Sequence, residues 1–316
     1  MSDYSREIPS DMEFKSFAKV NIGLEIIGKR DDGFHKLKTI FQTISLYDTI
    51  EITENSDGLI HLSGDDKSIF WDKSNTISKA FSLMYDLFNL DQGFNVNVKK
   101  SIPPGSGLGG GSSNAAVIMM FITDYFKLKI SKRRLERLGS TIGADIPFFF
   151  TGGTVLGEGI GEKITPLEDL GEIPVGLVIP NINISTKEIF SRFNLTKTTL
   201  KSKINSFLSS GDISALENEL EFTTFKVLPE LKKMKMKMES IGLDYISMSG
   251  TGSSLFCFHS KEQKVTLKSI FPKMFFEELL SRKRYQNSIG AWPSGKASVF
   301  GADTRRFESS RPRIKK

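Results

Sequence analysis

Val20, Ile22, Leu24 and Ile26 alternate with Lys19, Asn21, Gly23 and Glu25, a period of two that predicts a strand with one apolar and one polar face. Lys19 and Asn21 therefore project from the same side. A turn at Asp31-Asp32-Gly33 leads past His35 into a second strand-like stretch from Thr39 to Ile52. Ile77, Phe81, Met84 and Phe88 recur at helical spacing within residues 74–90, behind a serine or asparagine placed to cap the start. Phe94, Val96 and Val98 then alternate again. They deliver the chain to Pro103-Pro104-Gly105-Ser106-Gly107-Leu108-Gly109-Gly110-Gly111-Ser112-Ser113-Asn114-Ala115-Ala116. Val117, Ile118, Phe121 and Phe126 follow on a period of about 3.6, so this segment reads as a loop running into a helix, with Ser112, Ser113 and Asn114 available as caps.

The second half repeats the mixture. Ser131 opens a helix through Leu135 and Leu138 that ends near Gly143, and Asp145 then stands before the apolar run Ile146-Pro147-Phe148-Phe149-Phe150. Beyond Gly152-Gly153 the pattern predicts a strand over 175–179, a helix from Ser185-Thr186, a longer helix from Leu228 to Ser240, and strands over 245–248 and 255–258. The last two flank a second glycine turn, Ser249-Gly250-Thr251-Gly252-Ser253-Ser254. Methionines 234, 236 and 238 read as core or groove-lining residues. The fold class is α+β, divided as 1–160, 161–287 and a tail from Ser288. That tail shows no period of 2 or 3.6 and is rich in turn formers and charge, so disorder is expected. Its words Trp292-Pro293-Ser294-Gly295-Lys296-Ala297 and Arg305-Arg306-Phe307-Glu308-Ser309-Ser310-Arg311-Pro312 resemble a reading frame that has run into a transfer-RNA gene.

Charge narrows the function classes. Residues 288–316 hold seven Lys/Arg against two acids, a net +5, which leaves only +1 of the chain's +6 on the other 287 residues. A nearly neutral body argues against a surface that tracks a nucleic-acid backbone. No run of about 18 apolar residues suggests a membrane span, and the polar segment Met1 to Asp11 does not read as a signal peptide, so a cytoplasmic protein is expected. The single cysteine, Cys257, excludes an intramolecular disulfide and reads as a buried, inert thiol.

The glycine-rich loop carries the chemistry. Glycine lets a ligand approach the main chain, and the first turn of the following helix presents N–H groups without intrahelical partners, so loop and helix together favour a polyphosphate anion. The spacing is neither the P-loop GxxxxGK[ST] nor GxGxxG. Asp145 taken alone reads as a turn or capping residue and Lys19 as a solvated strand lysine.

Three segments change that reading jointly. Phe17-Ala18-Lys19-Val20-Asn21-Ile22-Gly23-Leu24 with Asp32-Gly33-Phe34-His35, the loop 107–116, and Gly143-Ala144-Asp145-Ile146-Pro147-Phe148-Phe149 resemble the 4-diphosphocytidyl-2-C-methyl-D-erythritol kinases of the GHMP kinase superfamily. The similarity runs from about Phe14 to Leu280. It implies a ribosomal-protein-S5-like N-terminal domain and a ferredoxin-like C-terminal domain, with ATP bound as a magnesium complex by residues 104–114 together with Gly250 and Gly252. No carboxylate cluster in the sequence marks the metal ligands. Carried over by motif, Asp145 is the base that accepts the 2-hydroxyl proton and Lys19 its cationic partner. Asn21 and His35 resemble the family's contacts to the cytidine end of a small-molecule substrate, and Thr186 and Phe190 resemble further substrate-side residues. Phe34 stands where the family usually has tyrosine, keeping a ring to stack and losing the hydroxyl. His61 and His259 match nothing and read as structural. A mevalonate or homoserine kinase would share the loop, a silent nucleotide sensor would not need both Lys19 and Asp145, and an RNA-binding protein would use the basic tail as its arm.

Overall fold

Two long strands, β1 (Asp11–Lys29) and β2 (His35–Asn55), pair antiparallel and form the spine of the first sheet. They belong to a computed structural model that describes residues 11–182, 184–194 and 202–290. The sheet is completed by β3 (Ile60–Gly64), β4 (Gly93–Lys99), β5 (Thr154–Gly159) and β6 (Lys163–Pro166), in the order β3-β4-β2-β5-β6 with β1 on β2. β3 and β4 run parallel, joined by helix α1 (Thr76–Phe88), as a parallel pair requires a crossover. Asn75 caps α1 by accepting the Ile77 N–H, as the spacing predicts.

Helix α2 (Gly110–Tyr125) packs against this sheet with every residue from Ser113 to Asp124 buried. A helix buried on all sides must be apolar all round, and Ala115 to Ile122 meets that demand. Helices α3 (Lys132–Ile142) and α4 (Ile146–Phe149) lie beside it, α3 capped by Ser131 and closed by Gly143. The apolar run after Asp145 becomes the short helix α4, because Pro147 suits a first turn and its phenylalanines fill the core.

The second sheet contains β7 (Pro174–Val178), β8 (Tyr245–Met248), β9 (Leu255–Phe258) and β10 (Phe275–Glu278), all antiparallel in the order β10-β7-β9-β8. Between β7 and β8 lie α5 (Thr186–Arg192), α6 (Lys203–Ser210), α7 (Glu221–Val227) and α8 (Pro229–Glu239), and α9 (Lys261–Ile270) joins β9 to β10. Extra helices aside, this is the strand-helix-strand-strand-helix-strand succession of a ferredoxin-like unit.

Two boundaries differ from those read in the sequence. The first sheet continues past residue 160 through β6, because β6 pairs with β5. At the other end, the expected tail does not begin at Ser288. Helix α10 (Arg282–Ser288) buries Tyr285, Ile289 is fully buried in the first core, and Gly290 bridges Phe14. A charged helix with one buried aromatic offers no apolar stripe to read, which is why the pattern failed there. The rest of the expected read-through tail, 291–316, lies outside the described residues.

Cys257 is fully buried on β9, and desolvation pushes its thiol up to about 12 from 9.0. The folded chain disfavours the thiolate, so this group leaves stability intact below pH 9 and erodes it as pH rises from 9 toward 12. An alkylating reagent at pH 8 should label the thiol only in denaturant. Ile289→Ala should lower the unfolding free energy by about 2–4 kcal/mol in a urea titration, where a residue of a disordered tail would change nothing.

Candidate active site

Lys19 is held at both ends. Its main-chain N–H donates to the Leu108 carbonyl at 2.9 Å, which stitches β1 to the glycine loop. Its side chain is 4% exposed, and Nζ donates to Asn21 Oδ1 at 2.6 Å and lies 3.3 Å from Asp145 Oδ2. The alternation that predicted a shared face for Lys19 and Asn21 holds, between irregularities of register at Phe17/Lys19 and Asn21/Gly23. Such irregularities re-aim side chains and are common beside functional sites. The Phe41 ring lies 5.5 Å from the ammonium and closes the apolar side.

Asp145 sits one residue before α4, in the place of a capping aspartate, yet its side chain makes no capping bond. The carboxylate turns to Lys19 instead and stays 32% exposed, so a buried cation faces an acid that a ligand can reach. Gly161 passes close to it, since a Cβ there would stand 3.8 Å from Asp145 Oδ1.

The two glycine turns meet. A Cβ on Gly107 (φ +79°) would stand 2.3 Å from the Ser249 carbonyl and 2.8 Å from that of Gly252, so only glycine fits there. Ser249 Oγ donates to the Gly107 carbonyl at 2.9 Å and accepts the Asn21 N–H at 3.3 Å, while the Ser254 N–H donates to the Ser106 carbonyl at 3.1 Å. Gly250 brings the second turn to the lysine, where a Cβ would lie 3.7 Å from Nζ. Asn218 fixes that turn by donating to the carbonyls of Met248 and Gly250 at 2.8 and 2.7 Å.

Gly109 (φ +74°) is the residue at which the chain enters α2, and a Cβ on it would stand 3.1 Å from Lys19 Cγ. The helix therefore opens at Gly110 and Gly111 with no side chain over its first N–H groups, a geometry suited to anions. Ser112 lies close to Gly143, whose Cβ would be 3.5 Å from its hydroxyl. Pro104 and Gly105 are exposed, whereas Ser106 and Leu108 point inward and serve through their carbonyls.

The expected caps are not caps. No side chain caps α2, and Ser113 and Asn114 lie within its first turn, turned to the core. Ser16 Oγ donates to Ser113 Oγ at 2.8 Å, and Asn114 Nδ2 donates to Ser16 Oγ at 2.9 Å and to Asp48 Oδ2 at 3.1 Å. Asp48 is fully buried, accepts the N–H groups of Ser101 and Ile102 at 2.8 Å each, and pairs with Lys100. These side chains hold the loop from beneath and face away from any ligand above it.

A second cluster gathers other expected residues. His35 stacks on Phe190 with centroids 5.3 Å apart and meets the edge of Phe193 at 6.1 Å. Burial first, and the nearby Lys29 charge second, lower the His35 pKa, so the ring is neutral at neutral pH. Thr186 reaches the second glycine turn through Thr251, hydroxyl to hydroxyl at 3.2 Å. Phe34 is 59% exposed beside this cluster in the chain. Asn21, expected with His35, belongs instead to Lys19: it is buried, and its amide oxygen and nitrogen are spent on Lys19 and Thr39. His61 pairs with Asp57 on the surface and His259 abuts Phe276.

Sequence reasoning missed Ser249, Asn218 and Thr39. Ser249 had a signal, its place beside Gly250; the other two sit in ordinary strand and loop sequence. Magnesium finds no protein cage here, since no group of three or more His, Cys, Asp or Glu side chains converges among the described residues. An ion carried by a nucleotide's phosphates needs no such cage.

A profile of the GHMP kinases N terminal domain matches residues 75–153, which contain the loop, α2 and Asp145. The 4-diphosphocytidyl-2-C-methyl-D-erythritol kinase of Clostridium perfringens is 37% identical over 259 residues, covering 78% of this chain and 88% of that protein. The enzyme of the same name from Clostridium beijerinckii is 36% identical over 263 residues, covering 81% and 94%. Among solved structures, a 4-(cytidine 5'-diphospho)-2C-methyl-D-erythritol kinase superimposes with a TM-score of 0.73 at 28% identity, over 85% of this chain and 99% of that one. A homoserine kinase from Cytophaga hutchinsonii gives 0.69 at 16% identity, over 89% and 98%, and shares the fold alone. The chain therefore belongs to the 4-diphosphocytidyl-2-C-methyl-D-erythritol kinase family of the GHMP kinases.

Proposed function

We propose that this chain transfers the γ-phosphoryl group of ATP to the 2-hydroxyl of 4-diphosphocytidyl-2-C-methyl-D-erythritol, a step of the non-mevalonate isoprenoid route, with Asp145 as base and Lys19 as its cationic partner. The observation that carries the reading is the 3.3 Å approach of Lys19 Nζ to Asp145 Oδ2 beside the glycine loop. The acceptor hydroxyl oxygen attacks the γ-phosphorus, its proton passes to the Asp145 carboxylate, and ADP leaves. Lys19 orients the carboxylate and offsets charge as it develops on the transferring group. Main-chain N–H groups at the start of α2 hold the phosphates, with the loop 104–112 and Gly250 and Gly252 as the walls. Magnesium would enter on the nucleotide, its ligands supplied by phosphate and water.

The His35–Phe190 stack supports a planar base at the far end of the acceptor. Phe34, 59% exposed, offers a further ring there without the family's hydroxyl. We propose a cytoplasmic enzyme that acts on a small-molecule substrate and engages neither nucleic acid nor a membrane. Among the described residues no helix is long and apolar enough to cross a membrane.

A coupled assay of ADP release with a panel of acceptors tests the reading. The cytidyl-methylerythritol diphosphate should be turned over efficiently, and equal turnover of mevalonate or homoserine would defeat the assignment. Asp145→Asn should lower kcat by roughly 10²–10⁴-fold while ATP still binds. Phe190→Ala should raise KM for the acceptor by up to about tenfold and leave KM for ATP unchanged, because the stack it removes is worth about 0.5–1.5 kcal/mol.

A further inference from the structure

We infer that Thr39 is a positioning residue: its hydroxyl selects the orientation of the Asn21 amide, and through that amide it aims the Lys19 ammonium at Asp145. The inference rests on the roles given to Lys19 and Asp145 above.

Thr39 lies on β2 opposite Leu24, fully buried. Its hydroxyl has one proton, and that proton is spent on the Gly23 carbonyl, 2.7 Å away. Toward Asn21 the oxygen offers only lone pairs, so the group facing it has to be a donor. That group is Asn21 Nδ2, at 2.8 Å. The two ends of an amide point in opposite senses, so with the nitrogen on Thr39 the oxygen is directed to Lys19 Nζ, at 2.6 Å. A flipped amide would set its NH2 against an ammonium and its oxygen against the lone pairs of the hydroxyl. Both clashes would occur in a site where Asn21 is 3% exposed and solvent cannot relieve them.

Donation therefore runs one way from the Lys19 ammonium to the Asn21 amide, the Thr39 hydroxyl and the Gly23 carbonyl, and the same ammonium faces the Asp145 carboxylate. The Lys19 ammonium, which also demands an acceptor, favours the same orientation from the other end of the amide. The Ser249 hydroxyl fixes the Asn21 main chain by accepting its N–H at 3.3 Å, and Thr39 fixes the nitrogen end of the side-chain amide. The Thr39 methyl is itself confined by β5, where a Cβ on Gly157 would stand 3.1 Å from it.

Thr39→Val keeps the shape and removes the hydroxyl. It should lower kcat roughly ten- to a hundredfold while KM for ATP stays within about threefold, since a buried amide NH2 loses its acceptor and the amide is then held from the Lys19 side alone. Thr39→Ser should recover kcat to within about threefold of the parent. In an Asn21→Ala background Thr39→Val should cost no more than about another twofold, because the residue through which it acts is gone. A parental kcat for Thr39→Val, or the same loss in both backgrounds, overturns the inference. Lys19→Ala separates the two layers: full turnover there sinks the roles of Lys19 and Asp145, whereas loss there with a harmless Thr39→Val sinks Thr39 alone. Thermal melts report the fold of each variant. Should Thr39→Val not fold, Thr39→Ala carries the same prediction, and failure of both to fold overturns the inference, since the hydroxyl then serves the fold.

Discussion

A buried ammonium has to be answered by acceptors, and in this chain that requirement shapes the centre of the molecule. Lys19 is 4% exposed, and its charge is met by the Asn21 carbonyl oxygen at 2.6 Å and the Asp145 carboxylate at 3.3 Å. Leaving such a charge unpaired in a low-dielectric setting would cost several kcal/mol. The pairing therefore draws the segment between α3 and α4 onto β1, and the main-chain bond from Lys19 to Leu108 draws the glycine loop onto the same strand. Cation, acid and the main chain of the glycine loop are brought together at Lys19.

The loop itself is held from two sides. From beneath, the buried Asp48 gathers the N–H groups of Ser101 and Ile102, the Asn114 amide and the Lys100 ammonium, so the loop's entry and the first turn of α2 share one anchor. From above, the second glycine turn lies against Gly107 so closely that no other residue could stand there. A rigid frame of this kind suits phosphoryl transfer, in which catalysis comes from positioning and charge stabilisation. It also links the two sheets, because the upper turn connects β8 to β9 while the lower anchor belongs to β2.

Much of this was legible because it is written in local pattern. Alternation placed Lys19 and Asn21 on one face, glycine content marked both turns, and the limits of β8 and β9 coincide with the predicted strands. What was not legible depends on distant partners. Thr39 is 18 residues from Asn21 and sits in ordinary strand sequence, while Ser249, 228 residues away, is marked only by its place beside Gly250. Ser113 and Asn114 look like caps in sequence and become core residues because Ser16 and Asp48 wait for them. Asp145 looks like a cap and is not one, because Lys19 competes for its carboxylate. The onset of the tail was misplaced for the same reason: Ile289 is recruited by the first core rather than by any pattern of its own.

On the proposed function, a nucleotide's terminal phosphate is received where Lys19, Asp145 and the opening of α2 converge. A crystal structure with a non-hydrolysable ATP analogue tests it directly. The terminal phosphate should lie within about 2.7–3.1 Å of Lys19 Nζ and of N–H groups from the start of α2, with the Asp145 carboxylate facing the open side. A terminal phosphate seated beyond the reach of Lys19, with the loop's N–H groups turned to solvent, would contradict it.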